Sequence, residues 1–344
     1  MNRFPTHIEI AGRLIGPGEP CYVIAEGGVN HFGEIEKALQ LIELAATSGA
    51  TAFKSQHYRT DRLVGPAAPE WRERLQSKEL PDEAIKKMQQ ECMKRAITFL
   101  CTPHDDIALE FLVNVLDVPA IKIGSGEVEN WPFLERIARC EKPVILSTGM
   151  YEIDQIRKAV RVMEENGCPA LALLHCITSY PAEPADVNLK VMEQIREFFP
   201  GPVGYSDHTA GTAVALAAVA LGADIIEKHI TIDRDVPDAQ DWKVACDPSN
   251  LARFIRDVRE VEAARGGGLK ILSEKEKHSL LWARKSLTLI KDLQAGEVIT
   301  EKVLLAQRPG TGIPPSRIEA VVGKIAARPL KAGTILDFDA LREQ

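Results

Sequence analysis

Short apolar runs recur along the chain, each followed by a few polar residues and then by a stretch whose apolar positions fall at helical spacing. From residue 21 to about residue 265 the runs are CYVIAEG, ATAFKSQ, TFLCTP, AIKIGSG, PVILSTG, LALLHC, VGYSDH and DIIEKHI. Near-continuous apolar runs of this length, bounded by glycine and proline, predict parallel strands buried on both faces. The intervening stretches, such as EIEKALQLIELAATSG, EIDQIRKAVRVMEENG and TAVALAAVALGA, predict helices, and several end at a glycine suited to a C-cap. Eight strand–helix units over about 250 residues predict an α/β fold of the (β/α)8 TIM-barrel type. An open doubly wound sheet would carry fewer strands and a glycine-rich phosphate turn after the first, and no GxGxxG stands there.

The barrel is expected over 21–265, with flanking segments on either side. Residues 1–20 contain HIEIAGRLIGPGEP, an alternating stretch that turns at GPG and predicts a hairpin before the barrel. Residues 266–283, in RGGGLKILSEKEKHS, are rich in glycine and charge and predict a linker. The tail, 284–344, holds an internal repeat, LQAGEVI at 293–299 and LKAGTIL at 330–336, which predicts a small, mostly-β domain with internal pseudo-symmetry.

Composition narrows the function classes. With 42 basic and 49 acidic residues the net charge is −7, so no nucleic-acid or membrane-surface partner is expected. The opening MNRFPTHIEIAG has no apolar core before a small-residue cleavage site, and no apolar run is long enough to span a bilayer. The seven cysteines are scattered without CxxC spacing. A reduced, cytoplasmic protein with buried thiols is expected, Cys176 among them as a strand-core residue rather than a nucleophile.

A barrel of this kind places its active site at the C-terminal ends of the strands. There the runs carry Glu26 with Asn30 and His31 just beyond, Lys54 and Gln56, Thr102, Lys122 with Ser125 and Glu127, Ser147 and Thr148, Ser206 and His208, and Glu227 and His229. Residues two apart on a strand share a side, so Lys54 with Gln56, Ser206 with His208 and Glu227 with His229 are expected to face one cavity. Asp207 then points away or orients a neighbour. Lys54 and Lys122 among hydroxyl groups make a receptacle for a small phosphorylated acid. His208 and His229, from adjacent strands, suit a divalent ion such as Mn²⁺ or Zn²⁺ and leave coordination positions open for substrate oxygen. His175, His7, His57 and His278 are expected to be structural.

These residues resemble the sialic acid synthase family, whose members condense phosphoenolpyruvate with an N-acylated hexosamine. AEGGVNHFG resembles the family's AE-x-G-x-NH-x-G; FKSQ, KIGSGE, ILSTGM, YSDHT and E-x-H follow in order, and RPGTGIPP sits in a tail similar to the antifreeze-like (SAF) domain of these enzymes. The resemblance implies a domain-swapped homodimer and phosphoenolpyruvate bound by Lys54, Thr102, Lys122, Ser125, Ser147, Thr178 and Ser206. It implies sugar contacts from Gln56, Glu127, Tyr180 and Asp241, with Arg308 from the partner's tail. Glu26 would be the acid/base residue, and His208 and His229 would hold the metal: Mn²⁺ first, with Mg²⁺, Co²⁺ or Zn²⁺ as alternatives. The acceptor would be N-acetylmannosamine or a diacetamido-dideoxy hexose.

The chain departs from the family pattern at Thr178 in HCITSYP, at His104 in CTPHDD, in a short loop after the second strand, and in PDAQDWK, which brings Trp242. Two other functions compete on the residues alone. A Schiff-base aldolase would use Lys54, Lys122 or Lys228 as its nucleophile, and a non-enzymatic carbohydrate-binding protein would carry the tail on an inert barrel.

Overall fold

The computed structural model describes residues 4–234 and 241–344. The chain divides into two compact units, Met1–Gly266 and Gly267–Gln344. In the first, strands β1 (Ile8–Ile10) and β2 (Arg13–Ile15) form the expected antiparallel hairpin, with Ile8 opposite Ile15. Eight parallel strands follow: β3 (Tyr22–Gly28), β4 (Ala52–His57), β5 (Thr98–Pro103), β6 (Ile121–Ile123), β7 (Val144–Ser147), β8 (Leu171–Cys176), β9 (Val203–Asp207) and β10 (Ile225–His229). They close in sequence order, β10 pairing with β3. The TIM-barrel expectation therefore holds, and each of the eight runs supplies one strand.

Two apolar layers hold the barrel. Outside, one large cluster joins the outward residues of the strands, such as Val23, Phe53 and Ile226, to the surrounding helices. The helix Ile35–Ser48 is typical: Ala38, Leu41, Ile42 and Ala45 are buried on one face, and Gly49 closes it at φ 87° with its N–H on the carbonyls of Ala45 and Ala46. Inside, a second cluster joins Ile24, Ala52, Leu100, Ile145, Ala172 and Ile225 to Ile8, Ile10 and Ile15 of the hairpin. The hairpin thus caps the barrel interior with its own side chains. Along five of the eight strands the next inward position is polar: Glu26 follows Ile24, Lys54 follows Ala52, Thr102 follows Leu100, Ser147 follows Ile145 and Glu227 follows Ile225. The interior is apolar toward the hairpin and polar at the C-terminal ends of the strands.

The opposite face of the last two strands carries a separate pair. Asp207 stands opposite Lys228 in the ladder, and the Lys228 ammonium donates to the Asp207 carboxylate at 2.7 Å and to the Thr209 carbonyl at 2.7 Å. Asp207 also accepts from the Tyr205 hydroxyl and from the Thr209 N–H and hydroxyl. It orients its neighbours and leaves the cavity side to Ser206 and His208, as strand alternation predicts.

In the second unit, strands β11 (Ser286–Leu289) and β12 (Leu304–Gln307) pair antiparallel, as do β13 (Ile325–Ala326) and β14 (Leu341–Arg342). The sequence repeat is a structural one: Leu293 and Leu330, the first residues of the two copies, exchange both backbone hydrogen bonds, at 2.8 and 2.9 Å. Gly296 and Gly333 turn at φ 87° and 82° in matching positions. Where a linker is expected over 266–283, a helix occupies Glu274–Ala283. Its start is a capping box, with Ser273 accepting from the Glu276 N–H and Glu276 returning to the Ser273 N–H, a signal present in SEKE and masked by the surrounding glycine and charge. No helix among the described residues is long and apolar enough to cross a membrane.

Asp207→Ala would leave the Lys228 ammonium buried without its counter-charge, and is expected to cost about 3–5 kcal/mol of barrel stability. Urea unfolding followed by circular dichroism measures this. An unchanged midpoint would mean that the pair does not hold the two strands.

Candidate active site

A cavity of about 600 Å³ opens where the polar ends of the eight strands converge. Its floor is a cluster of four buried charged side chains from β3, β4, β6 and β10. The Lys54 ammonium lies 3.1 Å from Glu26 Oε1, 3.5 Å from Glu227 Oε1 and 3.3 Å from the Thr102 hydroxyl. Lys122 donates to the Ser147 hydroxyl at 2.7 Å and to the Ile123 carbonyl at 3.0 Å, with Glu227 Oε2 at 3.8 Å. Ser206 donates to Glu227 Oε1 at 3.1 Å, and Gln56 to Glu26 Oε1 at 3.1 Å. The outer oxygens of both carboxyls, Glu26 Oε2 and Glu227 Oε2, are buried without a hydrogen-bond partner.

Burial sets the protonation of this cluster, and the neighbours divide it. Burial pushes the Glu26 carboxyl up to about 7, Lys54 opposing and Glu227 adding to the rise. Burial also acts on Glu227, but Lys122 and Lys54 together outweigh it and hold that carboxyl below the usual range. Burial brings Lys122 down to about 8 despite Glu227, while Glu227 and Glu26 overcome burial at Lys54 and raise it. Near neutral pH, Glu26 is the group that shares its site between the proton-bound and ionised forms.

Two imidazoles form one side. His208 and His229 lie with ring centroids 5.3 Å apart. Burial holds His208 down at about 4 and His229 well below its usual value, so both are neutral. The carbonyl of Ile177 can only accept, so His208 Nδ1, 2.7 Å away, carries the hydrogen and Nε2 the lone pair, toward which the Tyr180 hydroxyl points at 3.1 Å. His229 Nδ1 is buried with no hydrogen-bond partner, 3.7 Å from Asp241 Oδ2. Gly28, at φ 52°, leaves that corner open: a Cβ there would stand 3.0 Å from Asp241 Oδ2 and 3.4 Å from His229 Nδ1. Burial raises the Asp241 carboxyl to about 6. A neutral imidazole whose lone pair meets the Tyr180 hydroxyl and a second with an orphaned Nδ1 are donors that a divalent ion takes, and the pair leaves further positions open. Among the described residues no group of three or more His, Cys, Asp or Glu side chains makes a closed metal cage.

The remaining expected residues fall into place on the same walls. Ser125, Glu127, Ser147 and Thr178 line the cavity; the Gly149 N–H donates to the Ser125 hydroxyl at 2.9 Å, and a side chain on Gly149 would collide with Thr178 and Ser125. Glu127 accepts from Asn130 at 2.7 Å, and burial raises its carboxyl. The Tyr180 ring stacks on His208 at 4.1 Å. His104 also lines the cavity, held at about 4 by burial and by Lys54. Trp242 does not line it, and residues 237–240 of PDAQDWK lie outside the described residues.

Other residues singled out in the sequence lie elsewhere or at the edge of the cavity. Asn30 ties the turn after β3 to the end of β10 by donating to the Ile230 carbonyl, His31 accepts from the Gly33 N–H, and the Thr148 hydroxyl donates to the Leu174 carbonyl. Lys228, a candidate Schiff-base lysine, is on the outer face of β10 with Asp207 and outside the cavity. Arg308 belongs to the second unit, exposed, donating to the Ala283 carbonyl at 3.0 Å. His175 is structural as expected, bound to the Val187 carbonyl at 2.6 Å. Cys176 is a buried thiol as expected, raised to about 11 chiefly by burial, yet it also reaches the cavity floor.

Two features escaped sequence reasoning. Glu227, placed beside His229 without a role, is the carboxylate both lysines share; its signal was the E-x-H alternation. The other is an apolar wall of Leu63, Val64 and Trp71, from a segment whose local pattern reads as an exposed loop.

The NeuB family profile matches residues 41–270 and that of the SAF domain residues 284–342. The chain is 38% identical over 329 residues to N,N'-diacetyllegionaminic acid synthase of Campylobacter jejuni, covering 91% of this chain and 98% of that protein. It is 32% identical over 335 residues to human N-acetylneuraminate-9-phosphate synthase, covering 93% and 92%. Its fold matches the crystal structure of N-acetylneuraminic acid (sialic acid) synthetase from Leptospira borgpetersenii in complex with citrate, at a TM-score of 0.75 and 31% identity, over 81% of this chain and 97% of that one.

A carboxyl raised to about 7 is held protonated by the folded state more tightly than by the unfolded chain, so its contribution to stability is present below the unfolded value and is lost as pH rises through 7. Glu26→Gln removes that loss. The variant's melting temperature relative to the parent is expected to rise between pH 5 and pH 8; a difference that is flat or falls with pH would contradict the assignment.

Proposed function

The chain belongs to the NeuB family, with a SAF domain at its C-terminal end, and we propose from that premise that it condenses phosphoenolpyruvate with an N-acylated hexosamine to give a nonulosonic acid and inorganic phosphate. The observation that carries the reading is the floor of the cavity, where two buried ammonium groups and their hydroxyl neighbours stand beside two neutral imidazoles. The hexosamine is N-acetylmannosamine or a diacetamido-dideoxy hexose.

Phosphoenolpyruvate brings a phosphate and a carboxylate, and Lys54 and Lys122 answer one anionic substrate with two cations in a dry site. Thr102, Ser125, Ser147, Ser206 and Thr178 supply hydroxyl donors around it. The incoming anion replaces Glu26 and Glu227 as the partner of the ammonium groups. Gln56, Glu127, Tyr180 and Asp241 hold the open-chain sugar beside it. His208 and His229 would hold a divalent ion, Mn²⁺ first among Mg²⁺, Co²⁺ and Zn²⁺, which supplies Lewis-acid polarisation of the aldehyde. The methylene carbon of phosphoenolpyruvate bonds to the aldehyde carbon, and the sugar oxygen takes up a proton. Positive charge then rests on the enol carbon, where Glu26 in its ionised form takes a proton from the attacking water. The hydroxyl of the tetrahedral carbon passes its proton to the departing phosphate, which leaves with its bridging oxygen, and the 2-keto acid remains.

In this reading the enzyme works as a cytoplasmic homodimer that brings Arg308 of the partner subunit to the sugar. The free cysteines, all buried except Cys140, suit a reducing compartment. An aldolase would need a nucleophilic amine, and the ammonium groups of Lys54 and Lys122 are engaged by carboxylates.

Phosphoenolpyruvate labelled in its bridging oxygen is expected to release the label with phosphate; label kept in the sugar acid would refute water attack at the enol carbon. Chelation is expected to stop turnover and added Mn²⁺ to restore it, and His229→Ala to lower kcat by about 10²-fold or more with an unchanged circular dichroism spectrum. Full activity in a sample shown metal-free by elemental analysis would remove the metal from the mechanism.

A further inference from the structure

His104, the first residue past β5, lines the cavity just above the charged floor. It stands two positions beyond Thr102, so strand alternation sends its side chain to the same interior as the Thr102 hydroxyl. Its backbone N–H donates to the His57 carbonyl at 3.0 Å. The next residue, Asp105, accepts from the Arg59 N–H at 2.7 Å and from the Ile107 and Ala108 N–H groups at 2.9 Å. The backbone that carries the ring is thus held from both sides. Tyr58 meets the ring edge-on, with centroids 6.2 Å apart, and spends its own hydroxyl on the Leu75 carbonyl.

The imidazole itself is unspent. Among the described residues no group hydrogen-bonds to either ring nitrogen of His104, and neither nitrogen is sealed from the cavity. A Cβ on Gly124 would stand 3.7 Å from His104 Cε1 and 3.9 Å from Thr102 Cγ2. Cε1 lies between the two nitrogens, so the nitrogen-bearing edge is the one turned to the space that Gly124 leaves open. Gly124 is two positions beyond Lys122 and directly before Ser125, whose hydroxyl is already fixed by the Gly149 N–H. Burial first, then the Lys54 ammonium, brings the His104 ring down to about 4; Asp105 opposes, and Lys122 and His57 add to the fall. The ring is therefore neutral, with one N–H to give and one lone pair.

Resting on the condensation reading above, we propose that His104 is a further phosphoenolpyruvate-binding residue, whose neutral imidazole donates one hydrogen bond to an anionic oxygen of the substrate beside Thr102, Lys122 and Ser125. A neutral ring adds a donor where a third cation would be repelled by two ammonium groups. A hydrogen bond to a charged oxygen is also the stronger kind, and here it satisfies a donor that the protein leaves without a partner.

Calorimetric titration of phosphoenolpyruvate into wild type, His104→Phe and His104→Gln, without acceptor, tests this. Phenylalanine keeps a ring against Tyr58 and removes both nitrogens; glutamine keeps an N–H at similar reach. The Kd for phosphoenolpyruvate is expected to rise about tenfold or more in His104→Phe and to return to within about threefold of wild type in His104→Gln. In steady-state assays the KM for the hexosamine is expected to stay within about twofold of wild type in both. An unchanged Kd in His104→Phe overturns the proposal, as does a loss confined to the KM for the hexosamine; either leaves the condensation reading intact. Equal weakening in both variants also overturns it, since packing rather than a donor would then be at work. Should His104→Phe lose the parent's circular dichroism spectrum, His104→Leu takes its place and the same outcomes decide. If wild type binds no phosphoenolpyruvate, the condensation reading fails and this inference with it.

Discussion

Two ammonium groups and two carboxyl groups are buried together at the C-terminal end of the barrel, and bringing them out of water carries a large desolvation cost. The desolvation penalty is several kcal/mol per ion, and mutual attraction offsets it only where geometry is good and the remaining hydrogen-bonding atoms are satisfied. Here the cluster is incomplete: Glu26 Oε2 and Glu227 Oε2 have no hydrogen-bond partner. Lys122 is brought down to about 8 by its burial and Glu26 up to about 7 by its own. The arrangement is one that a bound anion improves, since it would give the ammonium groups a stronger partner and release the carboxyl groups for chemistry.

The rest of the barrel keeps that cluster in place. Most strands give an apolar residue to the lower interior and a polar one to the upper, so a single alternation builds both the packed plug against the hairpin and the floor of the cavity. The outward face of β9 and β10 carries its own satisfied pair, Asp207 with Lys228, which keeps those charges out of the cavity. At the same strand ends, Ser206 and His208 face inward beside Glu227 and His229.

The barrel and most of its floor were legible because they depend on strand periodicity. Lys54, Lys122, Ser206, His208 and His229 stand on strands or just past their ends, where alternation decides which side they face. Glu227 was visible by the same rule, but its importance rests on sitting between two lysines from distant strands, a fact of barrel closure rather than of local sequence. The helix Glu274–Ala283 was hidden by charge and glycine around a valid capping box. The apolar wall had no periodic signal at all. Leu63, Val64 and Trp71 lie on or beside two short helices, Thr60–Leu63 and Pro69–Gln76, and only the path of the chain brings them to the cavity. Asn30, His31 and Thr148 show the converse: polar residues at strand ends that bond to nearby backbone instead of lining the cavity.

If the floor holds its charges short of full ionisation until an anion arrives, substrate binding must move protons. Phosphoenolpyruvate is fully ionised at pH 8, whereas Lys122, brought down to about 8 by burial, is poised to gain a proton when negative charge enters beside it. Calorimetric titration of phosphoenolpyruvate at pH 8, in buffers of different ionisation enthalpy, measures this directly. Net proton uptake on binding is the predicted result; binding with no proton exchange, or with release, would contradict the account of the cavity floor.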